Sequence, residues 1–203
     1  MNALVVVDLQ TDFCPGGALA VPEGDRVIPL VNRIQSRFDL VVATQDWHPP
    51  DHLSFAANHP GRSPGEVIEL NGLEQVLWPV HCVQGTPGAA FHPGWDPSRV
   101  RRVFQKGTDR EIDSYSALFD NAHRRATGLG DFLKDRGVGE LYLAGLATDY
   151  CVKFSALDAV ALGFSTAVVL DACRGVELRP GDVDRAVAEM QAAGVKMVAG
   201  HSL

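Results

Sequence analysis

A cysteine at position 151 closes the stretch LYLAGLATDYC (141–151), and its neighbours decide what its sulfur can do. The apolar run from Leu141 gives way to Gly145, then to a turn of small and polar residues, then to a helical pattern that begins near Thr148 or Asp149. Strand, turn and helix start in that order put Cys151 in a first helical turn. Unpaired backbone N–H groups and the positive end of the helix dipole there favour thiolate over thiol, so Cys151 is a candidate nucleophile. The same N–H groups, with that of Ala147 in the turn, are placed to hold a carbonyl oxygen as it becomes an oxyanion.

Two further groups complete such a system. Asp8 follows the apolar run ALVVV (3–7), and Lys106 follows VRRVFQ (100–105). An ammonium beside Cys151 favours its thiolate, and a carboxylate can take the thiol proton and later deliver it to a leaving group. Each residue taken singly has an ordinary reading: a buried apolar thiol, a solvated lysine, a loop-capping aspartate. Asp12 keeps that last reading. A second set, Asp46, His48, His52 and His81, offers oxygen and imidazole donors of the kind that suit zinc, iron or manganese, with positions left for water or a ligand. His59, His92, His123 and His201 read as surface or hydrogen-bonding residues. Phe13, Trp78 and Tyr115 read as core aromatics.

These groups matter only if the fold gathers them. Apolar, β-branched runs at 3–7, 40–43, 100–105, 141–145, 167–170 and 195–198 are strands of the kind buried on both faces of a parallel sheet. Between them lie helical spacings: Val27, Leu30, Val31, Ile34; then Ala122, Ala126, Leu129, Leu133; then Val152, Ala156, Ala159, Val160, ending at Gly163; then Val183, Ala186, Val187, Met190. Asp171 is placed at the end of the 167–170 strand. The alternation predicts a three-layer α/β/α domain with a mostly parallel sheet of five to six strands, spanning 1–203 as one unit. The Pro-, Gly- and His-rich segment from Pro49 to Pro97, with only VIEL (67–70) suggesting a strand, makes a long loop over about 46–98 that carries the metal-type donors, and loops of that length are usually functional. Ligands of such sheets bind beyond the carboxyl ends of the strands, where Asp8, Asp46, Lys106 and Cys151 all fall.

Composition narrows the partners. A formal net charge of -7 with no run of Lys or Arg argues against nucleic acid and anionic membranes. No apolar run approaches a membrane span, and Ala3 to Val7 is too short for a signal segment. Four scattered cysteines without CxxC spacing point to a reducing, cytoplasmic home.

Several phrases carry a resemblance: VVVDLQTDFCPGGALAV (5–21), TQDWHPPDHLSFA (44–56), GEVIELNGLEQVLWPVHCVQGTPGA (65–89), FQKGTDREIDSYSALFDN (104–121) and GLATDYCVKFSALDA (145–159). In this order they resemble the nicotinamidases (pyrazinamidases) of the isochorismatase-like cysteine hydrolase superfamily. The resemblance implies a catalytic triad of Asp8, Lys106 and Cys151, and an oxyanion hole at Ala147 and Cys151 shaped by a cis Leu146–Ala147 peptide. It implies one divalent ion on Asp46, His48 and His81, with zinc the first expectation and iron or manganese the alternatives. It also implies a pocket of Phe13, Leu19, Trp78 and Tyr115 for nicotinamide, a small-molecule substrate. His52 matches a position that ligates metal in only some members, so its role is open, as is assembly into a homo-oligomer. Thr11 stands where many members have Asn, which puts only local loop bonding in question. Rival readings are another small-amide hydrolase of the superfamily, a catalytically silent binding homologue, and a thiol redox sensor centred on Cys151.

Overall fold

The run Ala3–Val7 has no side chain in contact with solvent, and its residues alternate between two cores. Ala3, Val5 and Val7 join one apolar cluster, Leu4 and Val6 the other. That is the packing demanded of a strand sandwiched between helices, since successive side chains leave opposite faces. The structure, a computed structural model, describes residues 1–203. Its strands are β1 (Asn2–Val7), β2 (Leu40–Asp46), β3 (Val67–Leu70), β4 (Leu73–Val76), β5 (Val100–Lys106), β6 (Glu140–Leu146), β7 (Ser165–Arg174) and β8 (Lys196–Val198). Helix α1 (Ile28–Ile34) buries Ile28, Val31 and Ile34 on one face of the sheet. Helices α2 (Leu129–Lys134), α3 (Lys153–Ala161) and α4 (Asp182–Ala192) send Leu133, Ala156 and Met190 into the cluster on the other. The result is the expected three-layer α/β/α fold.

The main sheet has the order β5-β2-β1-β6-β7-β8, and every pairing in it is parallel. The chain therefore winds outward from β1 in one direction through β2 and β5, and in the other through β6, β7 and β8. A crevice opens where the winding reverses, beyond the carboxyl ends of β1 and β6. Asp8 follows the first of these strands and the turn to Cys151 follows the second. On the near side Asp46 and Lys106, the last residues of β2 and β5, are register partners.

Several elements differ from the sequence expectation. The helix anticipated over Ala122–Leu133 forms only at Leu129–Lys134, because the Asp120 carboxylate accepts hydrogen bonds from the N–H groups of Ala122, Arg124 and Arg125 and holds that stretch as a loop. The turn carrying Cys151 is a single π-turn, Thr148–Val152, before α3 begins. Strand β7 runs on to Arg174, so Asp171 lies within it and accepts from Gly200 N–H instead of ending it. Inside the 46–98 loop, VIEL pairs with Leu73–Val76 in an antiparallel hairpin. Asn71-Gly72 between them, both at positive φ, is the turn chemistry that announces it.

Candidate active site

Lys106 is the residue around which the site is built. Its ammonium, fully buried at the end of β5, lies 2.6 Å from Asp46 Oδ1, 2.9 Å from Ser114 O, 3.4 Å from Cys151 Sγ and 2.9 Å from Asp8 Oδ2. Three protons meet four acceptors. Lys106 donates hydrogen bonds to Asp46, Ser114 and Cys151, and forms a buried salt bridge with Asp8 Oδ2. Burial alone would depress the lysine, but the carboxylates of Asp46 and Asp8 hold it charged, well above its usual range.

Asp8 is oriented from both sides. Its φ of 48° turns the chain sharply out of β1, and Thr44 Oγ1 donates to Oδ1 at 2.6 Å. Burial raises its carboxyl above the ordinary value, against the lowering pull of Lys106. A carboxyl so raised, with Lys106 and Cys151 beside it, is suited to receive a proton. Cys151 differs from the sequence expectation of a thiolate. Burial pushes its thiol well above the ordinary range, and Lys106 does not cancel this because the charges of Asp8 and Asp46 and a hydrogen bond with Asp8 push the same way as burial. The sulfur therefore rests as a thiol whose proton faces Asp8. The Leu146–Ala147 peptide is cis. Ala147 is buried, and its N–H meets no acceptor among the protein's own groups.

Asp46 also faces the other way. Its Oδ2 lies 3.4 Å from His48 Nε2 and 3.7 Å from His81 Nε2. His48 Nδ1 is 2.9 Å from Gly107 O, and His81 Nδ1 is 2.8 Å from Pro79 O. A carbonyl can only accept, so both rings carry a proton on Nδ1, and Nε2 is the atom each turns toward the carboxylate. The three donor atoms are buried and lie within 4.8 Å of one another. Two imidazole nitrogens and a carboxylate oxygen converging in a buried site fit a divalent cation. Asp46 is fixed by Gln10, whose amide accepts from Asp46 N–H at 2.7 Å and donates to Asp46 O at 2.8 Å, replacing the strand partner lost where β1 turns away. His81 is followed by Cys82 at φ 44°, with Cys82 N–H donating to Asp12 Oδ2 at 2.8 Å. Asp12 thus caps loops as expected and ties the segment of Phe13 and Leu19 to that of His81.

His52 is prepared differently. Its Nδ1 accepts from Ser54 N–H at 3.1 Å, so the proton of the neutral ring sits on Nε2, and burial lowers its basicity. It stands with His48 and Asp113 in a second buried trio adjoining the first. Thr11, the departure from the family pattern, bonds to Ala90 O through its N–H and hydroxyl.

A small cavity opens over these groups. Phe13, Leu19, Trp78 and Tyr115 all line it, as do Asp46, His81, Ala147 and Cys151. The sequence reading missed three wall residues, Asp113, Tyr150 and Val176. Asp113 sits within the quoted phrase FQKGTDREIDSYSALFDN, and Tyr150 adjoins Cys151. Val176 carried no signal at all. Trp78 and Tyr150 meet edge to face at 4.9 Å, and Trp78 Nε1 donates to Tyr115 Oη at 3.1 Å, so the aromatic wall is held rigidly.

Comparison with known proteins gives consistent results. The isochorismatase domain model matches residues 2–201. The nicotinamidase of Escherichia coli (strain K12) is 51% identical over 200 residues, covering 97% of this chain and 93% of that protein. The structure of an Acinetobacter baumanii nicotinamidase and pyrazinamidase superposes with a TM-score of 0.97 at 49% identity, over 99% of this chain and 97% of that one. The structure of Pyrococcus horikoshii pyrazinamidase in complex with zinc does so with a TM-score of 0.80 at 40% identity, over 98% of each chain.

Proposed function

The chain belongs to the isochorismatase family, and from that premise we infer that it hydrolyses the carboxamide of nicotinamide to give nicotinate and ammonia, and that of pyrazinamide likewise. The observation that carries this reading is the buried Lys106 ammonium, shared between the thiol of Cys151 and a carboxylate that also faces two imidazole nitrogens. It ties a nucleophile to a site for a pyridine-binding ion. Asp46, His48 and His81 would hold that ion, and the zinc bound to the related pyrazinamidase supports zinc. A divalent cation there supplies a Lewis-acid anchor for the ring nitrogen of the substrate.

The protein's own residues do the rest. Phe13, Leu19, Trp78 and Tyr115 enclose the ring and exclude water, so the carboxamide is presented to Cys151 in a fixed geometry. As Sγ attacks the carbonyl carbon, the thiol proton passes to the Asp8 carboxylate, which burial raises above its ordinary value. Lys106 stays protonated and balances the charge that moves between sulfur and carboxylate. The N–H groups of Ala147 and Cys151 hold the oxyanion. Asp8 then returns the proton to the departing nitrogen, which leaves as ammonia. The nicotinoyl group stays on Cys151 as a thioester. Water, deprotonated by Asp8, attacks that thioester, nicotinate leaves, and the proton restores the thiol. Four free, buried cysteines suit a reducing compartment and support a cytoplasmic location. No helix is long and apolar enough to cross a membrane.

The decisive experiment incubates metal-analysed protein with nicotinamide and quantifies nicotinate, ammonia and metal per chain, beside Cys151→Ala. Wild type should release the two products in equal amounts. The variant should lose turnover by on the order of 10⁴-fold or more while keeping metal and nicotinate binding. Metal-replete wild type that yields no nicotinate would sink the assignment, and ammonia release by the variant at the wild-type rate would remove Cys151 as nucleophile.

A further inference from the structure

Asp149 stands two residues before Cys151 in the same π-turn, is buried, and has no part in the chemistry above. Its two carboxylate oxygens reach a different segment of chain. Oδ1 accepts from Val176 N–H at 2.9 Å, and Oδ2 accepts from Glu177 N–H at 2.8 Å. These residues belong to a strap, 175–181, that runs from the end of β7 to the start of α4. The strap is shaped for this approach. A Cβ on Gly175 would lie 2.2 Å from Val183 Cγ2 and 3.1 Å from Asp149 Oδ1, so only glycine lets the chain come so close. Glu177 takes a φ of 53°, which turns its N–H onto the carboxylate beside that of Val176. The far end is held separately, by Gly181 N–H on Glu177 Oε1 at 2.7 Å and Arg179 N–H on Asp182 Oδ2 at 2.8 Å. At the first of these anchors, Val176 lines the same cavity as Cys151.

We propose that Asp149 is a positioning residue that fixes the Val176 wall against the nucleophile turn and so sets which ring-substituted amides the cavity accepts. The inference rests on the nicotinamide reading. Two charge-assisted bonds from one carboxylate to consecutive N–H groups define both the distance and the tilt of the strap. An asparagine can accept only one of them and turns its NH₂ against the other N–H. An alanine accepts neither. In each case the nucleophile, its base and the oxyanion donors are untouched, so the change falls on substrate fit and not on the chemical step.

The test is steady-state kinetics of wild type, Asp149→Asn, Asp149→Ala and Val176→Ala with nicotinamide and 5-methylnicotinamide. Alkylation of Cys151 by iodoacetamide reports on the turn. Asp149→Ala should raise KM for nicotinamide by about tenfold and Asp149→Asn by about threefold, with kcat within about twofold and alkylation unchanged. The kcat/KM for the methylated amide relative to nicotinamide should rise by about tenfold in Asp149→Ala, the discrimination that one methyl group is worth in a close apolar pocket. Val176→Ala, which removes wall and keeps strap, should move that ratio the same way, and it carries the test should the Asp149 variants fail to fold. An unchanged ratio in Val176→Ala, or a fall in kcat at constant KM with altered alkylation in Asp149→Ala, overturns the proposal. Wild type that turns over nicotinamide while the ratio stays fixed overturns only this inference. Wild type that does not turn it over overturns the functional reading as well.

Discussion

Burial sets the roles proposed for Asp8, Lys106 and Cys151. It raises the Asp8 carboxyl toward accepting a proton, while one ammonium serves Asp46, Ser114, Cys151 and Asp8. It also reverses the usual expectation for a cysteine in a helix start. The thiol of Cys151 is held up by burial and by two carboxylates, more than Lys106 pulls it down. The resting sulfur is therefore protonated at neutral pH. Alkylation of the substrate-free protein by iodoacetamide follows the thiolate fraction, so its rate should rise steadily with pH through pH 9 with no plateau near neutrality. A plateau between pH 6 and 7 in a stopped alkylation series would mean a preformed thiolate and a different role for Asp8.

At the scale of elements, the site exists because β1 and β6 are neighbours that begin the two opposite windings of the sheet. Their carboxyl ends must approach closely for Asp8 to meet Cys151. Gly145, paired with Val7 across that junction, makes this possible at φ 125°. A Cβ there would lie 2.1 Å from Val7 O, a backbone atom with no freedom to withdraw. Gly145→Ala should combine backbone strain with a main-chain clash, a cost of more than about 3 kcal/mol. In urea unfolding this reads as a lower midpoint with an unchanged slope. A midpoint equal to wild type would show that the junction can open without loss.

Across the whole molecule, two buried carboxylates, Asp8 and Asp46, share one ammonium. The buried set is thus left with an excess of negative charge, which a bound divalent cation offsets. Binding to the folded state alone also stabilises it by mass action. Removal of metal should therefore lower the unfolding temperature, with the loss reversed in proportion to added free ion in a calorimetric titration. KM should rise more than kcat falls, since in the proposed function the ion orients substrate and Cys151 attacks it. A metal-free protein with unchanged unfolding and unchanged kinetics would remove the ion from both roles.

What the sequence determined by itself was the frame and the residues gathered at its rim. Unbroken apolar runs ending in Asp8, Asp46 and Lys106, and one leading through a tight turn to Cys151, are local patterns, and local patterns suffice to place residues at the carboxyl ends of parallel strands. The family phrases then singled out Asp46, His48 and His81 and the four pocket residues. The hairpin partner Leu73–Val76 was also legible, in Asn71-Gly72, and went unread. Other features were decided only by tertiary structure: the protonated state of Cys151, the tautomer that sets His52 apart from His48 and His81, the carboxylate of Asp113 in the cavity wall, and the grip of Asp149 on the strap. Each depends on which group stands opposite in space. Burial and hydrogen bonding act over a few ångströms between residues far apart in the chain, and no periodicity in one stretch encodes its neighbour in another.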